Sequence, residues 1–293
     1  MITGLHHVTA IASDPKKNVA FYTRFLGLKL VKKTVNFDDP TTYHLYYGDE
    51  TGSPGTILTF FPWPHTMRGR AGSGQTTVTA YSVPADSLDY WTARALEYGV
   101  PVSRVAERFG EAFMTLRDPD NMAVELVASA PAGGHGLRGF HSVALTQWNL
   151  SPTAKMLIEL MNFTVVAEKG SRTRFASGGV GFVDVEMMPD QRRGSIGSGI
   201  VHHIAFRTPT EETQRTWHEK ISGAGHSVSP IMDRNYFHSI YFREPGGVLF
   251  EIATDPPGFA VDEAVDELGK NLKLPAWYEA RRAELEAVLP ALY

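Results

Sequence analysis

Two pairs of adjacent histidines are the residues of this chain best suited to bind a metal ion. His6-His7 and His202-His203 each occur at the start of a run typical of a β-strand, Leu-His-His-Val-Thr and Val-His-His-Ile-Ala. Because side chains alternate along a strand, one histidine of each pair is expected to point into a concave sheet, and the other away from it or toward its rim. A single strand histidine is usually a packed structural residue, but the repeated pair favours imidazole ligands.

The candidate carboxylate is Glu251, within the apolar run 248–253. A carboxylate in an apolar strand is costly unless it is paired or binds a metal ion, although a charge after a Pro-Gly turn can also be a simple edge residue. The turn-forming stretch 243–247 predicts a hairpin in which Tyr241 lies within about one residue of facing Glu251. Two neutral imidazoles and one carboxylate form the triad that binds iron(II) and leaves positions open for substrate and dioxygen. We therefore predict His7, His203 and Glu251 as metal ligands.

The remaining histidines lack this arrangement. Taken alone, Tyr241 is more often a packing residue and Arg234 a solvated cation. We expect six further histidines to be surface or loop residues: His44, His65, His135, His218, His226 and His238.

The elements that must position these residues come from an internal repeat. Residues 4–10 resemble 139–145 and residues 118–126 resemble 244–252, so two halves of common design are offset by about 130 residues. In each half, a strand, a helix and further strands recur about every 60–70 residues. The sequence thus predicts an α+β fold of four βαβββ modules. We expect domains at 1–130 and 137–256, separated by a Pro/Gly-rich linker, and a helical C-terminal tail at 257–293.

The repeat also permits a comparison within the chain. Ser142 and Val78 take the positions of His7 and His203, and Glu125 takes the position of Glu251. We therefore expect one metal site, and one empty equivalent around Ser142, Val78 and Glu125. Because the ligands come from the first and last modules, these two modules should pack together around the metal ion.

Composition excludes several classes of protein. The 293 residues are 43% hydrophobic and 20% charged, with a net charge of −4 and no cysteine. A negative net charge argues against nucleic acid and anionic membranes as partners. The lack of cysteine excludes disulfides, Cys-ligated zinc, iron–sulfur clusters and thiol nucleophiles, and is compatible with a reducing compartment. We see no export signal and no transmembrane segment, so we expect a cytoplasmic protein.

These motifs resemble those of the vicinal oxygen chelate superfamily, which includes glyoxalase I, epimerases, extradiol dioxygenases and antibiotic-resistance proteins. Its first-strand signature, apolar-x-His-Val/Ile, occurs at 5–8 and near 201–204. A closer resemblance, over essentially the whole chain, is to ring-cleaving dioxygenases of the hydroquinone type. It is carried by residues 4–9, 43–49, 55–62, 201–206, 233–247, 251–255, 272–275 and 289–290.

The resemblance implies two vicinal-oxygen-chelate domains and a site in which iron(II), with manganese(II) as an alternative, opens a hydroquinone- or catechol-type ring with dioxygen. The ligands implied are again His7, His203 and Glu251. Five residues would surround them: His6, Thr9, His202, Arg234 and Tyr241. Tyr241 and His202 would transfer protons, Arg234 would stabilise an oxyanion, and His6 and Thr9 would orient ligands or water. Trp63 and Pro64 would influence substrate choice. If the chain forms an assembly, we expect a homo-oligomer.

Two other functions remain open. A glyoxalase or epimerase usually needs a second carboxylate ligand, and the corresponding strand offers Thr59 and Phe60 instead. A metal-free protein that binds a small molecule, such as a resistance protein, would not need the three ligands together. Neither alternative accounts for all of the predicted site.

Overall fold

The computed structural model describes residues 1–293 and contains four successive βαβββ modules. The first consists of β1 (Leu5–Ala12), α1 (Pro15–Val19), β2 (Lys29–Val35), β3 (Tyr43–Gly48) and β4 (Ile57–Pro62). The second consists of β5 (Gln75–Pro84), α2 (Leu88–Tyr98), β6 (Ala106–Arg108), β7 (Glu111–Arg117) and β8 (Ala123–Ala130). The predicted order of elements is therefore confirmed in the first half.

The second half repeats this order. The third module consists of β9 (Phe140–Gln147), α3 (Leu150–Lys155), β10 (Thr164–Lys169), β11 (Arg172–Ala176) and β12 (Phe182–Met187). The fourth consists of β13 (Val201–Thr208), α4 (Glu211–Gly223), β14 (Met232–Asp233), β15 (Phe237–Arg243) and β16 (Leu249–Pro257). Helices α1 and α3 continue as π-helical turns, at Ala20–Phe25 and Met156–Leu160 respectively. No helix of the chain is long and apolar enough to cross a bilayer.

The strands form two eight-stranded sheets, and each sheet takes one module from each half of the chain. The first sheet has the order β14-β15-β16-β13-β1-β4-β3-β2 and so joins the fourth module to the first. The second sheet has the order β10-β11-β12-β9-β5-β8-β7-β6 and joins the third module to the second. The first and last modules therefore lie side by side, as the ligand pattern predicted.

The strand alternation separates an apolar face from a polar one in the first sheet. Val8, Ile204 and Phe250 belong to the large apolar cluster that the helices cover. His7, His203 and Glu251 precede or follow these residues by one position on the same strands, so they face the opposite, concave side. The apolar residues fix which face is buried under the helices, and the alternation then aims the polar ones into one concavity.

Two β-bulges lie where β1 pairs with β13. On β1, His6 is the extra residue, because Leu5 pairs with Phe206 and His7 with the next residue, Ala205. On β13, His202 is the extra residue, between the partners of Thr9 and Ala10. A bulge turns the inserted side chain toward its neighbour's side of the sheet. Both histidine pairs therefore lie together, whereas simple alternation predicts that the members of a pair point apart.

The second sheet corrects the prediction of an empty equivalent site. Glu125 does occupy the position that corresponds to Glu251, but it is ion-paired with Arg108. Asp184, fully buried, accepts two hydrogen bonds from Arg174, at 2.8 and 3.1 Å. Arg174 also reaches Glu111 at 2.7 Å. Arginine side chains thus occupy the second concavity and neutralise its carboxylates.

The C-terminal segment is less helical than predicted. Of residues 257–293, only α5 (Arg282–Val288) is α-helical, and three short 3₁₀ turns precede it. The segment packs on the first module, where fully buried Lys32 bonds Asp262 at 2.6 Å and Glu263 at 2.5 Å. The Tyr278 hydroxyl donates to the Phe37 carbonyl at 2.9 Å. These contacts hold the segment against strands and loops that border the concavity of the first sheet.

The charge network of the second sheet predicts a pH-dependent stability. Burial would raise the pKa of Glu111, but hydrogen bonds from His141 and Arg174 lower it to about 2. Since its folded pKa lies below the unfolded value, its stabilising contribution is complete above about pH 4.5 and is lost as the pH falls toward 2. We expect Glu111→Gln to lower the free energy of unfolding by about 1–2 kcal/mol at pH 7. In urea titrations, the difference from the wild type should shrink between pH 4.5 and pH 2.

The matched control is Glu107→Gln, because Glu107 is exposed on the neighbouring strand β6 and has no ion pair. This variant should match the wild type at every pH. A deficit for Glu111→Gln that stayed constant from pH 7 to pH 2 would contradict the assignment of the low pKa.

Candidate metal centre

His7 on β1, His203 on β13 and Glu251 on β16 converge in the first sheet. The Glu251 Oε2 atom lies 3.2 Å from His7 Nε2 and 2.9 Å from His203 Nε2. The three ligand atoms lie within 4.8 Å of one another, and all three residues are buried. Two donor atoms that each bind an octahedral ion at about 2.1 Å are about 3.0 Å apart. The spacing of these side chains therefore fits a divalent ion, and no further carboxylate joins the group.

The bulge histidines prepare the two imidazoles as ligands. His6 Nδ1 lies 2.9 Å from His7 Nδ1, and His202 Nδ1 lies 2.7 Å from His203 Nδ1. Burial lowers the pKa of His6 and that of His202 to about 3, so both stay neutral and can accept a hydrogen bond. When the inner histidines donate from Nδ1, both of their Nε2 atoms present lone pairs toward Glu251. Such a hydrogen bond fixes the tautomer and ring orientation of a metal-binding histidine.

Glu251 is held as a carboxylate despite its full burial. Burial would raise its pKa, but the attraction of His7 and the contacts of His203 keep that pKa well below the usual value. Ser239 on β15 donates a hydrogen bond to Oε1. The other oxygen, Oε2, is buried and has no hydrogen-bond partner. An ionised oxygen with no donor, facing two imidazole nitrogens, is well suited to bind a cation.

Tyr241 and Arg234 lie beside this triad. Tyr241 faces Glu251 directly in the β15–β16 register, as predicted to within one residue. Arg234 Nε donates to the Tyr241 hydroxyl oxygen at 3.1 Å, and Arg234 Nη2 lies 3.3 Å from Asp38 Oδ2. Burial raises the pKa of Tyr241, and the Glu251 charge raises it further, so the phenol stays protonated. Because its oxygen already accepts from Arg234, its hydrogen is free to donate into the site.

The triad opens into a cavity of about 360 Å³. The apolar part of its wall includes Phe61, Trp63, Phe237 and Leu249. Its polar end is formed by the segment between β2 and β3, through Asn36, Asp38 and Asp39. The volume and the aromatic wall suit a ligand of about one ring.

The structure brings most of the predicted residues to this cavity. Tyr241, Arg234, His202 and Trp63 line it. His6 and Thr9 are buried behind the ligands instead. Pro64 is not part of the wall, because the chain turns away after Trp63, whose indole donates to Asp39 at 2.8 Å.

His44 is a cavity residue that the sequence analysis wrongly placed at the surface or in a loop. It lies on β3, where its Nδ1 is 2.8 Å from the Tyr46 hydroxyl and its Nε2 is 2.8 Å from the Thr59 hydroxyl. The Thr59 hydroxyl in turn donates to Thr9 at 2.9 Å. The signal for this role was the alternation of His44 and Tyr46 on one strand face, next to a strand of the predicted site.

The direction of these hydrogen bonds follows from the last donor. Since Thr59 donates to Thr9, it must accept from His44 Nε2–H, and His44 Nδ1 must accept from Tyr46. Burial holds the pKa of His44 well below its usual value, which keeps the ring neutral. Thr59 stands opposite Thr9 in the β1–β4 register, where a second carboxylate ligand was sought. A fixed, uncharged chain of hydrogen bonds thus forms this side of the site.

Comparison with known proteins assigns the family. The profile of the Glyoxalase/Bleomycin resistance protein/Dioxygenase superfamily matches residues 4–126 and 139–252. The chain belongs to this superfamily, which confirms the resemblance to vicinal oxygen chelate proteins. MhqO of Bacillus subtilis, named as a ring-cleaving dioxygenase, is 43% identical over 97% of this chain and 94% of its own. The chlorohydroquinone/hydroquinone 1,2-dioxygenase of Sphingobium indicum is 33% identical over 97% of this chain and 95% of its own.

Solved structures agree with this assignment. A crystal structure of a Bacillus subtilis protein described as a dioxygenase superposes with a TM-score of 0.95 at 42% identity, covering 100% of this chain and 98% of that one. Glyoxalase I from Zea mays superposes with a TM-score of 0.65 at 14% identity, covering 86% of this chain and 92% of that one. The second comparison shows the shared fold alone.

The hydrogen-bond chain behind the site predicts energetic coupling between His44 and Tyr46. His44→Phe leaves the buried hydroxyls of Tyr46 and Thr59 without one partner, so it should lower the free energy of unfolding by about 1–3 kcal/mol. Adding Tyr46→Phe removes one of these unpaired hydroxyls. The double variant should therefore lose clearly less stability than the sum of the two single variants, as measured by urea unfolding.

Tyr47→Phe provides the control pair, because Tyr47 points to the opposite face and donates to Asn18 at 2.8 Å. His44→Phe combined with Tyr47→Phe should be additive within about 0.5 kcal/mol. Additivity in the His44 and Tyr46 pair as well would show that the two side chains do not act through a common hydrogen bond.

Proposed function

We propose that this protein is a ring-cleaving dioxygenase that opens a hydroquinone- or catechol-type aromatic diol with dioxygen. The observation that carries the proposal is a buried two-histidine, one-carboxylate group that opens into an aromatic cavity beside Tyr241 and Arg234. The full-length relatives named as dioxygenases support it. The substrate is thus a small aromatic molecule, and dioxygen is the second reactant.

The proposed cofactor is iron(II), held by His7, His203 and Glu251. Two imidazole nitrogens and one carboxylate oxygen are the donor set of non-haem iron(II) oxygenases, and manganese(II) accepts the same donors. The lone pairs of the three side chains converge, and the unpartnered Oε2 of Glu251 fits a cation. When bound, the metal ion supplies open positions for the diol and dioxygen and the redox chemistry that lets them react.

The chain's own side chains bind and orient the ring. Phe61, Trp63 and Phe237 offer the faces and edges of aromatic rings to a planar substrate. The same residues exclude water from one wall of the cavity, which strengthens the electrostatic interactions inside. Tyr241 and Arg234 lie beside the triad and can orient the reacting end of the diol toward it.

Hydrogen bonds to the substrate come from the groups beside the triad. His202 is neutral and lines the cavity, and because its Nδ1 accepts from His203, its Nε2–H can donate to a substrate oxygen. The Tyr241 hydroxyl can donate a hydrogen bond to a substrate oxygen. Burial would lower the pKa of Arg234, but Tyr241 and Asp38 raise it, so the guanidinium stays charged and can stabilise an oxyanion.

The first sheet disfavours a glyoxalase or epimerase reaction. Those reactions usually use a second carboxylate ligand, and Thr59 occupies that position, bonded to His44 and Thr9. A metal-free binding protein is disfavoured because it has no need for a buried, ionised Glu251 between two imidazoles.

The ligand assignment predicts which substitutions remove the metal ion. His203→Ala and Glu251→Gln should each abolish metal retention and oxygen uptake, because two donors no longer hold the ion in the same geometry. Iron(II) added anaerobically at about 100 times its Kd should stabilise the wild type by about 2.7 kcal/mol, and should not stabilise either variant. Elemental analysis, thermal unfolding and an oxygen electrode with hydroquinones and catechols provide the measurements.

Glu125→Gln is the matched control, since Glu125 occupies the equivalent position in the second sheet. It should retain the metal ion. Full turnover by His203→Ala would refute the ligand assignment. Oxygen-independent isomerisation of a hemithioacetal would favour a glyoxalase, and oxygen-independent epimerisation of a thioester would favour an epimerase.

Tyr241 is expected to affect turnover and not metal binding. Tyr241→Phe removes a donor that faces the substrate, so kcat should fall about 100-fold while the metal content stays unchanged. Tyr43→Phe is the control, because Tyr43 lies on β3 outside the cavity wall. A wild-type kcat for Tyr241→Phe, measured with saturating diol, would exclude Tyr241 from the reaction.

A further inference from the structure

A second cavity, of about 600 Å³, adjoins the active-site cavity. His202 and Leu249 line both cavities, so these two side chains form the partition between them. The second cavity is built where segments 73–76 and 193–196 meet the turn between β15 and β16. Apart from His202, which contacts the ligand His203, none of its residues takes part in holding the metal ion.

The charges of this cavity are all of one sign. Arg193 and Arg243 line it, and no Asp or Glu does. Neither guanidinium forms an ion pair with a carboxylate of the chain, although the net charge of the protein is −4. Both guanidinium groups lie close to Gly247. Arg243 Nη1 donates a hydrogen bond to the Gly247 carbonyl at 2.9 Å. Arg193 Nη2 lies 3.3 Å from the place that a Cβ atom on residue 247 would occupy. Two like charges at one residue repel each other, and an anion between them removes the repulsion.

The backbone that carries Arg243 is held rigidly. Glu244 is buried, and it accepts hydrogen bonds from Gln147, Thr153, and the Gly246 and Val248 amides at 2.7–3.0 Å. The turn after Arg243 therefore keeps its shape.

The backbone that carries Arg193 is equally restrained. Ser73 N donates to Arg192 O, and Gly194 N donates to Ser73 O, each at 3.0 Å. Two guanidinium groups without ion pairs thus stand on two restrained backbone segments, in a site here named the arginine cavity and defined by Arg193, Arg243 and Gly247.

The proposed reaction creates a ligand that suits such a site. Ring opening inserts both atoms of dioxygen between a hydroxyl-bearing carbon and its neighbour. That carbon–carbon bond breaks, the hydroxyl-bearing carbon becomes a carboxylic acid, and an adjacent C–H carbon becomes an aldehyde. The two carbons are oxidised as dioxygen is reduced, with no further reactant. The acid loses its proton at neutral pH, so a neutral diol becomes an anion inside a largely apolar cavity.

We propose that the arginine cavity binds the carboxylate of the ring-opened product as it leaves the active-site cavity past His202 and Leu249. This inference rests on the proposed function for the identity of the carboxylate. The site itself rests on the unpaired arginines and on the shared wall. The planar guanidinium group of arginine forms bidentate hydrogen bonds with a carboxylate.

The test uses the full-length, metal-free protein and muconate, an unsaturated six-carbon dicarboxylate. Calorimetric titration should give saturable binding to the wild type. In the double variant Arg193→Gln, Arg243→Gln, the affinity should be at least about tenfold lower. The double variant Arg24→Gln, Arg104→Gln is the control of equal charge change, because both arginines are exposed and lie outside the cavity, and it should bind muconate as the wild type does. Neutral muconamide should not bind.

Equal muconate affinity in the wild type and the double variant would overturn the proposal, and so would equal binding of muconamide and muconate. In the metal-loaded protein, inhibition of oxygen uptake by muconate should weaken at least about tenfold in the double variant. If muconate binding depends on the arginines but no diol supports oxygen uptake, the carboxylate site stands and the proposed function fails. Urea unfolding of each variant excludes a loss of binding through misfolding.

Discussion

The first sheet is organised around one buried carboxylate that faces two imidazole nitrogens. A charged oxygen without a donor is unfavourable in a strand interior unless a cation neutralises it. Glu251 therefore requires β16, β13 and β1 to be neighbours, since each contributes one of the three donor side chains. The chain meets this requirement by placing its first and last modules in one sheet. The two middle modules then form the other sheet, and the apolar residues that alternate with the ligands pack under the helices.

The two sheets neutralise the same buried position in different ways. In both, a glutamate lies on the strand that runs parallel to one member of the central antiparallel pair: Glu251 on β16, beside β13, and Glu125 on β8, beside β5. The second sheet also keeps both bulges, where His141 and Thr77 are the extra residues. What differs is the partner: an arginine reaches Glu125 from within the chain, whereas Glu251 faces two histidines and forms no ion pair with an arginine or lysine. A guanidinium is permanently charged and saturates its carboxylate, so only the first sheet keeps room for an exchangeable ion and a substrate.

The modules and the ligand triad could be predicted because both depend on patterns of residue type over a few neighbouring positions in the sequence. Alternating apolar and polar residues identify the strands and show which face of the sheet each polar side chain takes. The turn before Glu251 places Tyr241 opposite it. The bulges could not be predicted in this way. A residue is recognised as inserted only when the pairing of its strand with the neighbouring strand is known. His44 was missed for a similar reason: its partners Tyr46 and Thr59 are polar residues whose contacts depend on the order of β3 and β4 in the sheet. Arg172 and Arg174 of the second sheet likewise lie on a strand far from Glu125 in sequence, although Arg108, which pairs with Glu125, lies only 17 residues before it.

The bulge at His202 links the chemistry of the site to its surroundings. In a regular strand His202 would point away from His203, toward the helices, and could not contact its Nδ1 atom. As the inserted residue, it lies beside His203 and also forms part of the wall that separates the active-site cavity from the arginine cavity. The same imidazole thus borders the aromatic active-site cavity on one side and a cavity lined by two arginines on the other. A reaction that turns a neutral ring into an anion changes which of these spaces its ligand prefers. If the anionic product binds more tightly in the arginine cavity than beside the triad, that difference in binding free energy favours its release from the active site.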